Sequence, residues 1–156
     1  MIALVAIGGG ALALTHRPKK TAFAGLRAAG ATHLVTLLDE SEGSAEIGTG
    51  AIAAGLAWIW LPLRGGNPPR AERDDELRGR LREIADVIRG GGHVVVHCSA
   101  GVHRTGMIGY ALLRQLGLDA PAARAMLAQL RDVTADGVGD ERCAWGDRLA
   151  GLSGVE

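Results

Sequence analysis

Short apolar runs alternate with longer amphipathic stretches along this chain, and the alternation sets the expected elements. Ile2 to Ile7 and Ala11 to Thr15 are apolar runs of strand length, and Gly8-Gly9-Gly10 between them predicts a tight turn. Thr21 to Ala29 predicts a short helix stopped by Gly30. His33 to Leu38 is again apolar and strand-like, and it ends in an acidic loop, Asp39-Glu40-Ser41-Glu42. Ser44 to Ala54 predicts a helix in spite of Gly48 and Gly50, which weaken helical propensity. Ala57 to Leu63 predicts a strand running into Pro62, and Arg64-Gly65-Gly66-Asn67-Pro68-Pro69 predicts a loop.

The clearest periodicity lies in Arg70 to Arg89, where Leu77, Leu81, Ile84, Ala85 and Ile88 recur on one helical face among charges. Gly90-Gly91-Gly92 ends that helix. His93 to His97 is a β-branched run suited to a central strand buried on both faces. Thr105 to Leu116 and Pro121 to Leu130 predict two further helices. Gly137-Val138-Gly139 predicts a break before a last helix, Glu141 to Leu152. Strands alternating with helices imply an α/β fold, a central mostly parallel sheet flanked by helices, in a single domain over residues 1–156.

Composition changes that picture little. The 156 residues are 47% hydrophobic and 22% charged, a globular balance with room for a core. Seventeen basic and 17 acidic residues cancel, so no overall field draws the chain to nucleic acid or a membrane. Only Lys19 and Lys20 are lysines, which reads as a compositional preference for arginine. Two cysteines, Cys98 and Cys143, form no disulfide framework and point to a reducing, cytoplasmic setting. The apolar N-terminal run has no basic residue before it, and His16-Arg17-Pro18-Lys19-Lys20 comes after it, the wrong order for a secretory signal.

One segment carries chemistry. Val94-Val95-Val96-His97-Cys98, five residues, then Arg104-Thr105-Gly106 reads as strand, tight loop and helix start. Backbone N–H groups from Ser99 to Arg104 can turn inward at a helix N-terminus and cradle an anion. Ala100 and Gly101 keep the loop open, and Val102 and His103 complete it. The same positive potential favours a thiolate at Cys98. Arg104 can hold two oxygens of a transferring phosphoryl group, and the Thr105 hydroxyl can donate to the Cys98 sulfur. His97 fits a role in fixing the loop through backbone hydrogen bonds.

His97-Cys98-(five residues)-Arg104-Thr105-Gly106 resembles the active-site loop of the protein tyrosine/dual-specificity phosphatase superfamily, over about residues 11–131. Low-molecular-weight phosphatases and arsenate reductases place their cysteine near the N-terminus, unlike Cys98. The resemblance implies a phosphate monoester hydrolase with a phosphocysteine intermediate on Cys98, no metal and no cofactor. Its implied partner is a phosphorylated protein or a small phosphomonoester substrate, not a membrane or nucleic acid, and the chain is expected to be a monomer.

The chain departs from that family at the proton donor. The superfamily supplies an aspartate from a Pro-containing loop, whereas Trp60-Leu61-Pro62-Leu63-Arg64-Gly65 has Arg64 or Gly65 there. Three substitutes are open. His103 stands inside the cysteine loop, as an acid does in myotubularin-type enzymes, and histidine exchanges protons near neutral pH. Asp39 and Glu40 lie in the acidic loop after a strand. The third option is no protein acid at all, with activity limited to good leaving groups. Phosphotyrosine-type substrates are therefore the default. The alternatives are a phosphate-binding pseudophosphatase and a phosphatase of a nucleotide, nucleic-acid or phosphoinositide substrate, for which Arg64, Arg70 and Arg73 are candidate extra cations.

Overall fold

The computed structural model describes residues 2–153. Its five-stranded sheet has the order β1-β2-β5-β3-β4. The strands are β1 (Val5–Ile7), β2 (Gly10–Thr15), β3 (His33–Thr36), β4 (Ala57–Trp60) and β5 (His93–His97). Only β1 is antiparallel, joined to β2 through Gly8 and Gly9, and every other pairing is parallel. The mostly parallel α/β fold is therefore as the sequence pattern predicts.

Seven α-helices surround the sheet among the described residues: α1 (Phe23–Ala28), α2 (Ser44–Ala53), α3 (Asp74–Arg89), α4 (His103–Gln115), α5 (Ala120–Leu130), α6 (Asp132–Val138) and α7 (Asp140–Ser153). The central strands bury Leu12, Leu14, Leu34, Val35 and Val94 to Val96, as expected of strands covered on both faces. The face of α3 that the periodicity singled out, Leu77, Leu81, Ile84, Ala85 and Ile88, is buried throughout. At the far side of α4, Tyr110 Oη and Arg114 Nε both donate to Asp147, at 2.6 and 2.9 Å, and tie α7 to it.

The glycines inside α2 have a packing cause. A Cβ on Gly48 would lie 2.7 Å from the Trp58 ring, and one on Gly50 would lie 2.5 Å from the Phe23 ring. Helix α2 thus gives up propensity to lie flat on two aromatic side chains. Several predicted ends shift. The first strand shortens to Val5–Ile7, and the stretch from Arg70 opens with a 3-10 turn, Ala71–Arg73, before α3. Two differences matter for the site. Helix α4 begins at His103, which puts His103 and Arg104 in its first turn. The break predicted at 137–139 is instead the end of a helix, α6, followed directly by α7.

Candidate active site

Strand β5 is the middle strand, with β2 and β3 parallel on either side, so the chain leaves it at the carboxyl edge of the sheet. Cys98 is the next residue, 3% exposed, and α4 starts five residues later. Ligand sites of open parallel sheets lie at this edge. The Thr105 hydroxyl donates to Cys98 Sγ at 3.0 Å.

The loop between them has its carbonyls held by neighbours. The Cys98 carbonyl accepts from His97 Nδ1 at 3.0 Å, and the Ser99 carbonyl accepts from the Arg17 N–H at 2.9 Å. The Gly101 carbonyl takes two donors, Arg131 Nη1 at 2.8 Å and the Thr134 hydroxyl. The Val102 carbonyl accepts from the Gly106 N–H at 2.8 Å. Among the described residues, no amide from Ser99 to Thr105 donates to a protein acceptor. Amides are thus the backbone groups left for a bound anion, at the start of a thirteen-residue helix.

Two close approaches shape this loop. Gly101 has φ +75°, and a Cβ there would sit 2.5 Å from the Thr15 carbonyl oxygen. The loop can therefore rest directly on the end of β2. A Cβ on Gly137 would lie 2.4 Å from the Val102 side chain, so α6 needs a glycine where it crosses the loop. That contact is why a residue that reads as a helix breaker sits inside α6.

Arg104 is 9% exposed, and its donors are divided. Nη1 and Nη2 donate to the two Glu42 carboxylate oxygens at 2.8 and 2.9 Å, and Nη1 also donates to the Leu63 carbonyl at 2.9 Å. A guanidinium has five N–H groups, so the Nε–H and the second Nη2–H remain as a planar fork that matches two phosphate oxygens. The Arg104 hydrogen bonds hold the Glu42 carboxyl well below its ordinary value, down to about 2. Glu42 also accepts the Asp39 N–H at 3.0 Å as part of a capping box. Arg17 donates through Nη1 to the Glu42 carbonyl, joining this side to the Ser99 contact.

Behind the cysteine lies a buried chain of donors. Trp58 Nε1–H donates to Thr36 Oγ1 at 2.8 Å, and Thr36 Oγ1 is 2.8 Å from His97 Nε2. Indole is a donor only, so the threonine hydrogen is free to go to Nε2. His97 is then neutral, with its proton on Nδ1 facing the Cys98 carbonyl. Burial holds the His97 imidazole down to about 4, in keeping with that state.

The candidate proton donors are spread around the mouth. His103 is exposed on the first turn of α4, against the segment that follows Pro62: a Cβ on Gly66 would lie 3.2 Å from His103 Cβ. Asp39 accepts from Ser41 Oγ at 2.6 Å and lies 3.7 Å from Arg64 Nε. Glu40 is exposed on the 3-10 turn Glu40–Glu42. Arg64 is 93% exposed, and Arg73 is paired with Glu76 at 3.0 Å, which removes one cation from the suggested extra anion site. Cys98 and Cys143 are both free and buried, and burial pushes the Cys143 thiol up. The described residues contain no group of three or more His, Cys, Asp or Glu side chains able to hold a metal ion.

Residues 9–118, more than two thirds of the chain, match the family model described as "Polymorphic toxin system, DSP-PTPase phosphatase". The chain belongs to this DSP-PTPase family. By sequence, no curated protein matches it. Solved structures share the DSP-PTPase fold at low identity. Tk-PTP in its active form superposes with TM-score 0.72 at 22% identity, covering 94% of this chain and 95% of that one. PTPMT1 in complex with PI(5)P gives 0.72 at 18%, covering 90% of each. TpbA of P. aeruginosa in complex with pTyr gives 0.57 at 20%, covering 89% of this chain and 85% of that one.

The strand, loop and helix start around Cys98 were legible in the sequence, but several of the side chains that brace them were not. Glu42 stood in the acidic loop without a role, although the Asp39-to-Glu42 spacing is that of a capping box. Arg131, Thr134, Thr36 and Trp58 carried no local signal, because each acts across the fold. Among the described residues, no helix is long and apolar enough to cross a membrane.

Proposed function

We propose that the chain hydrolyses phosphate monoesters by way of a phosphocysteine on Cys98. The observation that carries this reading is the loop itself: its carbonyls are held by neighbouring groups while its amides are left free, Arg104 is fixed at its end by Glu42, and the Thr105 hydroxyl donates to the Cys98 sulfur. The Cys98 thiolate attacks phosphorus, forming the S–P bond as the ester P–O bond breaks. The amides of Ser99, Ala100, Gly101, Val102, His103 and Arg104, with the Arg104 fork, stabilise the transferring group. Water then attacks phosphorus, the S–P bond breaks, and Thr105 stabilises the departing thiolate.

His103 is the proposed proton donor to the leaving oxygen, and it retakes a proton from the attacking water. Its support is position: it precedes Arg104 and packs on Gly66, in the segment where the superfamily carries its aspartate. Phosphotyrosine-type protein substrates suit this site, since an aryl leaving group demands least of the acid. Among the fold neighbours, one is bound to pTyr and another to PI(5)P, so the fold alone does not choose between them.

The test is turnover of an aryl phosphate in EDTA by the parent protein and by Cys98→Ser. Turnover that requires Cys98 supports the reading. Tight oxyanion binding without turnover in the parent protein would instead establish a binding module.

A further inference from the structure

A groove of about 890 Å³ opens beside the catalytic loop, and nothing so far gives it a role. Its floor is apolar, with Leu14, Leu26 and Leu130, and its rim carries His16, Lys19 and Arg131. It adjoins the loop directly. Arg131 donates to the Gly101 carbonyl, and Gly101 packs on Thr15 and His16, which end β2 and begin the rim. From there the groove crosses the strand ends to Ile2, beyond β2 at the sheet edge. Two strand spacings are roughly 10 Å, the reach of about three extended residues.

The charges of this groove differ from those elsewhere. Four arginines of α3 and its preceding turn are matched locally: Arg73 with Glu76, Arg78 with Asp75, Arg80 with Glu83 and Arg89 with Asp86. Among the described residues, His16, Lys19 and Arg131 pair with no carboxylate, and no acidic side chain lines the groove. Lys19 is exposed, and it and Lys20 are the only lysines of the chain, both within three residues of the Arg17 that holds Ser99. Lys19 and Arg131 thus place two cations without an ion-pair partner along this groove, at the side of the phosphate loop.

We infer that this groove is a substrate subsite for phosphopeptides that carry acidic residues within about three positions of the phosphorylated side chain. The carboxylates meet Lys19, His16 and the remaining donors of Arg131, and an apolar neighbour lies on the leucine floor. This deepens the proposed function and rests on it, since it names the flanking chemistry of the substrate entering at Cys98.

The experiment compares phosphotyrosine peptides with two glutamates or two lysines, placed before or after the phosphotyrosine, for the parent protein and Lys19→Glu. Expected is a preference in kcat/KM of about tenfold for glutamate on one side, shrinking with added salt. In Lys19→Glu the preference disappears while turnover of a small aryl phosphate stays within about twofold, since Lys19 lies outside the catalytic loop. Equal rates for all peptides would overturn the inference. So would equal losses on peptide and aryl phosphate, or preferred hydrolysis of phosphoinositide vesicles. If the parent protein fails to hydrolyse the aryl phosphate, the proposed function fails. Fluorescence anisotropy of the same peptides on Cys98→Ser then decides the subsite separately: tighter, salt-sensitive binding of the glutamate peptides supports it, and equal binding contradicts it.

Discussion

The loop from Cys98 to Thr105 and the segment from Leu61 to Pro69 face each other across the site, and they are built to opposite standards. In the first, four carbonyls are held by groups from β2–α1, β5, α4 and α6, and Arg104 is fixed by Glu42 from the turn after the neighbouring strand β3. The second is held at its start, where the Leu61 and Leu63 N–H groups donate to the Thr36 and Leu37 carbonyls and Arg104 donates to the Leu63 carbonyl. Beyond that, Gly66 is held by Arg142 Nε at 2.5 Å and Arg64 stands almost wholly in solvent. The first holds every group that the proposed function needs for nucleophile and phosphate binding. The second has no carboxylate at the place where the superfamily keeps its acid. The loop around Cys98 is braced on several sides, and under the proposed function any proton donor has to come from outside the Pro62 segment.

The largest effect should come from breaking the link between the two regions. His103→Ala should lower kcat on an alkyl phosphate by about a thousandfold while leaving an aryl phosphate with a good leaving group nearly untouched. A leaving-group series measures this, and equal losses across the series would return the acid to Asp39 or remove it altogether.

Glu42→Gln tests the tie that holds Arg104. It should reduce kcat/KM by about a hundredfold, since the fork is free to swing by an ångström or more. Thr134→Val removes one of the two donors on the Gly101 carbonyl and should cost about tenfold in kcat/KM and roughly 1 kcal/mol of stability, read by urea unfolding. Either variant behaving as the parent would show that the loop keeps its shape without that support.

The smallest effect is in pH dependence. His97 has its folded value lowered to about 4 from 6.5. Between those values the unfolded chain binds a proton that the folded chain refuses, so stability falls as pH drops from 6.5 through 4. Glu42, lowered from 4.5 to about 2, adds a second fall across that lower window. Urea midpoints from pH 7 to pH 4 should therefore decline. Trp58→Phe should lessen the decline, because a Thr36 oxygen relieved of the indole can accept from a protonated His97. An unchanged slope would remove the Trp58–Thr36–His97 chain from the account.

How much the sequence disclosed follows from how local each feature is. The strand, the cysteine and the helix start are contiguous from Val94 to Gly106, and the α3 face repeats within twenty residues, so both could be read directly. Glu42 is 62 residues from Arg104, and only the parallel pairing of β3 with β5 brings them together. Helix α6 was missed because Gly137 and Gly139 weaken its propensity. The compensation, Val102 filling the space beside Gly137, exists only in the folded protein. Lys19 reads as compositional in the sequence, and only the fold places it on a groove without carboxylates, two residues from the Arg17 that holds Ser99.

The most direct test of the central claim is acid quench of the protein during turnover of an aryl phosphate in EDTA, followed by mass spectrometry of the peptide that contains residue 98. The account predicts a phosphate adduct on Cys98 that forms and decays with turnover and is absent in Cys98→Ser. Turnover that survives in Cys98→Ser, or an adduct on any other residue, would contradict it.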